Sequence, residues 1–183
     1  MIFLCAVVIG IALGYVLRGR LSRLVFLRLR GMWLVLVALG IQLLIFPLFT
    51  PNPIIPFGTA ILHGVSYGLV LLWLLLNVHT RPLIAVGGGA LLNIAVVALN
   101  AGYMPASPAA LERAGLISVA RLLAGGETYG NLVSMSAATR LNVLGDWIGI
   151  PRGVPFATAM SVGDVLIMIG LVWLLAKGMN TNA

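Results

Sequence analysis

Acidic side chains are almost absent from this sequence, which has only four Asp and Glu residues among 183. Charged residues of both signs make up 8% of the chain, whereas 61% of its residues are hydrophobic. A soluble domain cannot bury that proportion of apolar side chains in one core, so we expect lipid around the chain. The apolar runs do not alternate with period two, and a bilayer requires backbone groups to be satisfied internally. The sequence therefore predicts an all-α integral membrane protein.

Cysteine and histidine are also rare, with one Cys and two His residues. One cysteine forms no intrachain disulfide, and no cluster of thiols or imidazoles is present to bind a metal. The sequence has no GxSxG, HExxH or Cys-His pattern, and the glycines at 87–89 lack the Lys-Ser or Lys-Thr of a phosphate-binding loop. We expect neither a metal nor a cofactor.

The net charge of +7 would suggest nucleic-acid binding in a soluble chain. Here, however, five arginines directly follow the first apolar run, at positions 18, 20, 23, 28 and 30. The positive-inside rule places this connection in the cytoplasm. The expected partner is therefore the lipid bilayer of the cell (inner) membrane, and no nucleic acid.

A helix needs about 17 to 25 apolar residues to cross a hydrocarbon core of ~30 Å. Five runs meet or nearly meet that length. The predicted membrane helices lie at 1–17, 32–49, 57–78, 83–100 and 155–176. With the arginine-rich connection in the cytoplasm, the amino terminus lies outside and the carboxyl terminus inside. We expect a single membrane domain over 1–183.

A long segment, roughly 101–154, joins the fourth and fifth predicted helices on the outer side. Connections of this length usually carry function or contain their own secondary structure. Ser-Pro at 107–108 is a typical helix start and Gly-Gly at 125–126 a typical stop, so we predict a surface helix at about 108–124. A further turn or short helix is predicted at 131–144.

Two aspartates, Asp146 and Asp164, each follow a glycine and precede apolar residues. In a final helix that begins at residue 155, Asp164 would lie roughly 13 Å along the axis, inside the membrane. An ionised carboxylate there costs several kcal/mol unless it is paired or protonated. It therefore needs a partner near the outer membrane face. The candidates are Asp146, Arg140, Arg152, His63 and Asn100.

Two neighbouring carboxyl groups cannot both ionise easily, so one can act as an acid and the other as a base toward a water molecule. A structural role is the alternative. Ser161 and Asp164 also fit a capping box that opens a shorter final helix, and Asp146 fits a cap on a surface turn. His63 fits a helix-packing hydrogen bond better than a metal ligand or a base, because no second His lies nearby.

Four stretches give the chain a recognisable pattern: LRLRGMWLVLVALGIQLLIF, NAGYMPAS, LGDWIGIP and SVGDVLIMIG. With these stretches the chain resembles a family of bacterial multi-pass membrane proteins of unknown function. That resemblance implies a multi-pass protein and no particular activity.

The C-terminal half carries VLGD at 143–146 and SVGDVLIMIG at 161–170. These stretches are distantly similar to the two catalytic aspartate motifs of signal peptidase II, the lipoprotein-processing aspartic protease of bacterial membranes. The resemblance implies that Asp146 and Asp164 are catalytic and that Asn100 stands for the Asn of that family's G-N-x-x-D-R motif. Ser161 replaces the Asn of the second motif, no Asp-Arg follows Asn100, and the outer N-x-G-x-A-F-S motif has no counterpart.

The sequence thus predicts a membrane-embedded aspartic hydrolase that acts on a lipid-linked or membrane peptide substrate, with Asp146 and Asp164 as catalytic residues. The residues expected to bind substrate or support the site are polar and lie near the outer face. They are Asn100, Ser161, Arg140, Arg152 and His63. Two alternatives stay open: a non-enzymatic accessory or assembly subunit with structural aspartates, and a small proton-coupled transporter that uses Asp164. No internal repeat supports the transporter.

Overall fold

We describe the fold from a computed structural model, which places residues 2–45, 54–55 and 57–180. Most of these residues are helical, as the all-α prediction requires. Two helices, Arg81–Leu99 and Val162–Asn180, are long and apolar enough to cross a membrane by length and composition. Each has 19 residues, or roughly 28 Å at ~1.5 Å per residue. Three other apolar helices are shorter.

The described helices and strands are joined by turns and loops. In chain order they are α1 (Ile2–Val16), α2 (Met32–Ile45), α3 (Thr59–Leu76), α4 (Arg81–Leu99), β1 (Met104–Ala106), α5 (Pro108–Arg113), α6 (Ile117–Ala124), β2 (Leu132–Ser134), β3 (Ile148–Gly149), β4 (Ala159–Met160) and α7 (Val162–Asn180). Turns of 3₁₀ helix lie at Leu21–Phe26 and Asn142–Leu144. Helices α1 to α4 match four of the predicted helices within two residues at each described end. The predicted last turn of α2, residues 46–49, lies outside the described residues.

The chain divides into two compact units. One unit, Arg28–Arg81, contains α2 and α3, which pack against each other. Its apolar side chains face outward as well as inward: Ile61 and Leu75 on α3 are 74% and 70% exposed. Exposed aliphatic side chains in such density are typical of helices that face lipid or a partner.

The other unit consists of Met1–Leu27 and Pro82–Ala183. Helices α1 and α7 run in the same direction: the Cys5 thiol lies 3.7 Å from the Pro155 carbonyl oxygen, ahead of α7, whereas Asn180 near the end of α7 donates to the Gly14 carbonyl. Helix α4 runs the opposite way along α7, since its start contacts Gly170 and its middle contacts Gly163. The same unit contains these three helices and the segment that joins α4 to α7.

The fifth predicted helix, 155–176, is wrong at both ends, because α7 begins at Val162 and ends at Asn180. Pro155 is typical of a helix start, but Phe156 adopts a left-handed backbone with φ of 63°. The chain then pairs as strand β4, antiparallel to β3. The helix begins only where Ser161 provides an N-cap, so Asp164 lies in its first turn.

The segment between α4 and α7, residues 100–161 and here called the connecting segment, has a small core of its own. Strand β1 pairs in parallel with β2, and the buried side chains come from β1, α5 and α6. The predicted start at Ser107 is confirmed, since its hydroxyl accepts a hydrogen bond from the Ala110 amide. The predicted helix at 108–124 is broken into two, because Gly115 adopts φ of 79°. The helix or turn predicted at 131–144 is strand β2 and a 3₁₀ turn.

Candidate functional site

Asp164 closes the first turn of α7 through two reciprocal hydrogen bonds with Ser161. The Ser161 hydroxyl accepts from the Asp164 amide at 2.9 Å, and Oδ2 of Asp164 accepts from the Ser161 amide at 3.0 Å. This arrangement is a capping box, so the shorter final helix considered as an alternative is the one that forms. The prediction that Asp164 lies deep within an unbroken helix is wrong.

Asn93, on α4, is a further partner of Asp164 that the sequence analysis missed. Its Nδ2 donates to Oδ1 of Asp164 at 2.8 Å, and its Oδ1 accepts from the Ser161 hydroxyl at 2.8 Å. Three side chains thereby form one network, the Asn93–Ser161–Asp164 network, in which Ser161 is fully buried. The signal for Asn93 was a lone amide within an otherwise apolar run, since amides in such helices often bond across to a neighbour.

Gly163 allows this network to form because it lets α4 approach the start of α7. A Cβ at position 163 would lie 2.6 Å from the Gly89 carbonyl oxygen and would also collide with the Asn93 side chain. Any larger residue would therefore separate Asn93 from Asp164. This steric requirement explains the glycine before the second aspartate.

Asp146 is held by its backbone at the edge of strand β1. Its amide donates to the Pro105 carbonyl at 2.8 Å, and its carbonyl accepts from the Ser107 amide at 2.9 Å. A Cβ on Gly145 would lie 2.6 Å from the same Pro105 oxygen. The glycine before the first aspartate is thus also required for close backbone approach.

The carboxyl group of Asp146 is buried, with 9% of the residue exposed. Its Oδ1 has no hydrogen-bond partner within the part of the chain that the structure describes. Burial, and secondly the negative charge of Asp164, raises the pKa of Asp146 to about 8. Asp146 therefore keeps its proton at neutral pH. The name aspartate pair is used here for Asp146 and Asp164.

The other predicted supporting residues of the connecting segment make different contacts. Asn100 donates to the Arg140 carbonyl at 2.9 Å and accepts from the Arg140 amide at 2.8 Å, so it holds the main chain of that loop. The Arg152 side chain packs against Gly115. Across residues 2–45, 54–55 and 57–180, the hydrogen bonds of the Asp164 carboxylate come from Asn93 and Ser161 rather than from an arginine.

His63 lies in the unit formed by α2 and α3, where it is buried. Its Nδ1 is 3.0 Å from Nε2 of Gln42 on α2, and the same Gln42 nitrogen donates to the Ser66 hydroxyl. This hydrogen-bonded contact between two helices is the packing role that the sequence favoured for His63. Its role as a supporting residue of the aspartate site stays a prediction.

Metal ligation was not expected from the sequence. Among the residues placed by the structure, no three or more His, Cys, Asp or Glu side chains form a group suited to a metal ion. The Asn93–Ser161–Asp164 network joins a carboxylate, a hydroxyl and an amide by hydrogen bonds. Side chains of these types can take part in proton transfer.

The protein is thus mostly helical, and within its described residues two helices are able to span a membrane by length and composition. Residues 26–176 match the model of a family of unknown function, DUF5317, and because the match covers more than half of the chain, the protein belongs to that family. The matched region includes Asn93 and both aspartates. No curated protein and no solved structure matches the chain. The family membership agrees with the predicted resemblance to an uncharacterised family, whereas nothing in these comparisons supports the resemblance to signal peptidase II.

Proposed function

We propose that this protein is a membrane-embedded hydrolase in which Asp146 and Asp164 are the catalytic residues. The observation that carries the proposal is the contrast between two coupled carboxyl groups. Asp164 accepts hydrogen bonds from Asn93 and Ser161, whereas Asp146 is buried and its Oδ1 has no partner among the described residues. Two carboxyl groups in unlike surroundings divide the acid and base roles between them.

In the proposed reaction, Asp164 takes a proton from water as the water oxygen bonds to the carbonyl carbon of a peptide. Asp146 gives its proton to the carbonyl oxygen at the same time. In the second half, Asp164 donates its new proton to the leaving nitrogen as the C–N bond breaks. A hydroxyl of the intermediate returns a proton to Asp146. One water is consumed, and both carboxyl groups recover their starting states.

The proposed location is a multi-pass position in the cell membrane, with the aspartate pair on the outer face. The arginines that follow α1 favour the cytoplasm for the end of that helix. Helix α7 runs parallel to α1 and has a basic residue, Lys177, in its last turn. The start of α7, which carries Asp164, then lies on the opposite face. A site at the outer membrane face suits a lipid-linked or membrane peptide substrate.

The remaining residues have proposed positioning roles. Asn93 and Ser161 hold the Asp164 carboxylate, and Asn100 holds the loop that contains Arg140. Arg140 and Arg152 lie on the connecting segment that also carries Asp146, and we assign them to the polar part of the substrate.

Hydrolysis can be tested before the substrate is identified. Full-length protein in lipid nanodiscs is incubated with a membrane proteome, and newly formed amino termini are labelled and identified by mass spectrometry. Asp146→Asn and Asp164→Asn should lower their release by a factor of about 10² or more, which is the usual contribution of general acid–base catalysis. Glu112→Gln and Glu127→Gln, which neutralise exposed acids of the connecting segment, should leave release unchanged. Equal release by all four variants contradicts the proposal.

The capping box favours one rival function, that of an accessory subunit in which the aspartates are structural. In that case Asp164→Ala lowers the melting temperature, and no variant changes the pattern of amino termini. The hydrolase instead predicts that Asp164→Asn loses release at temperatures well below its own melting temperature, although it retains an oxygen that can accept a hydrogen bond from the Ser161 amide.

A further inference from the structure

An apolar groove runs along α7 on the side that faces α1. It has a volume of about 610 Å³. Leu13 of α1 and Leu17, which directly follows α1, form one wall, and one face of α7 between Val165 and Asn180 forms the other. The lining residues of α7 are three and four apart, so they make one continuous stripe along that helix.

The shape of the groove suits a long, thin apolar ligand. From Val165 to Asn180 it extends roughly 22 Å along α7 at ~1.5 Å per residue. That length exceeds half of a hydrocarbon core of ~30 Å, so a chain that enters at one membrane surface fits inside it. The groove is open along its side, because Leu17 on one wall and Ile169 on the other are 55% and 52% exposed.

One end of the groove carries positive charge. Lys177 is among its lining residues, and Arg18 directly follows Leu17. Arg20 is held beside the end of α7, where its amide donates to the Met179 carbonyl at 2.9 Å. These three exposed side chains form what we call the basic end. The four acids of the sequence all lie between residues 112 and 164, so none is in α1 or in the turn that follows it.

We propose that this groove binds one acyl chain of an anionic phospholipid, whose phosphate lies at the basic end. The apolar stripe matches the acyl chain, and the charge of Arg18, Arg20 and Lys177 selects an anionic headgroup over a zwitterionic one. The basic end is also the end that the positive-inside rule assigns to the cytoplasmic leaflet. The proposal does not depend on the aspartate pair.

Native mass spectrometry of the full-length, delipidated protein in detergent tests this site. The protein is titrated with phosphatidylglycerol and with phosphatidylcholine of identical acyl chains. One phosphatidylglycerol should bind more tightly than phosphatidylcholine. Arg18→Gln and Lys177→Gln should each weaken its binding about fivefold, the effect of one basic residue near an anionic lipid. Arg121→Gln, which removes an exposed charge from α6, serves as the matched control and should have no effect.

Two groove variants test the acyl chain separately. Leu13→Trp and Ile169→Trp place bulk at partly exposed positions on opposite walls, and each should abolish the binding of both lipids. Undiminished lipid binding in both variants overturns the proposal, as does equal affinity for the two lipids in the wild type. If glycerol phosphate binds as tightly as the whole lipid, the basic end is a site for free phosphate and the lipid proposal is overturned. If a second copy of the chain occupies the groove and excludes lipid, the proposal is also overturned.

Discussion

At neutral pH the carboxyl group of Asp146 keeps its proton because burial, and then the charge of Asp164, raise its pKa to about 8. The unfolded chain releases the same proton near the ordinary value of 3.8. Between these two values the folded state therefore binds one more proton than the unfolded state. By linkage, the contribution of this group is fully present at acidic pH and is lost as pH rises toward 8.

The melting temperature should accordingly fall between pH 5 and pH 8. The contribution of Asp146 to this slope is at most about 1.4 kcal/mol per pH unit. Asp146→Asn should remove that part of the slope, whereas Glu112→Gln should retain it. Thermal melts in detergent, followed by tryptophan fluorescence, measure both. An identical slope in wild type and Asp146→Asn contradicts the raised pKa.

Asn93 offers a second test at the scale of one residue. Asn93→Ala removes the partner of Oδ1 of Asp164 and of the buried Ser161 hydroxyl. Loss of a buried partner costs about 1–3 kcal/mol, so we expect a lower melting temperature together with reduced hydrolysis. Asn131→Ala, which lies outside the network, is the control. If Asn93→Ala matches wild type in both measurements, the network does not position Asp164.

The sequence predicted the boundaries of a helix correctly where composition alone determines them. Helices α1 to α4 are long apolar runs, and their ends changed by no more than two residues wherever the structure describes them. The start of α7 was misplaced because a proline at 155 gives a strong local signal, while the β3–β4 pair before Ser161 is only two residues long and has no periodicity. The partner of Asp164 was missed because the position of Asn93 in its own helix does not reveal which helix it faces.

Two adjacent glycines of α4 test how closely α4 and α7 pack. A Cβ at Gly89 would collide with the backbone of Gly163, whereas a Cβ at Gly88 would meet nothing within 4 Å. Gly89→Ala should therefore destabilise the protein by about 1–3 kcal/mol through overpacking. Gly88→Ala should be neutral or stabilising by up to about 1 kcal/mol, because alanine favours helix. Melting temperatures distinguish them, and equal effects contradict this packing.

The whole molecule was predicted as an all-α membrane protein. Its predominantly helical fold, in which two of the helices placed by the structure are able to span a membrane, agrees with the coarser part of that prediction. The parallel arrangement of α1 and α7, with α4 antiparallel to α7, has the relative directions that alternating crossings require. Composition predicts helices in lipid because few charges interrupt the apolar runs. It does not predict the folded core of the connecting segment, whose elements are too short for a periodic signal.

Labelling of single cysteines tests the proposed sidedness. In a Cys5→Ser background, Glu127→Cys on the connecting segment should react with an impermeant maleimide added outside intact cells. Lys177→Cys at the end of α7 should react only after the cells are opened. Reaction of both positions from the same side contradicts the proposed topology, because it places the aspartate pair and the basic end on one face.

The central claim is that Asp146 and Asp164 form a coupled pair in which Asp146 holds the proton. Infrared titration of the full-length protein measures it directly through the C=O stretch of a protonated carboxyl group. That band should disappear with a midpoint near the pKa of about 8 in the wild type. It should be missing in Asp146→Asn, and its midpoint should move to lower pH in Asp164→Asn, where the neighbouring charge is gone. A band already lost at about pH 5, or a midpoint that Asp164→Asn leaves unchanged, would contradict the claim.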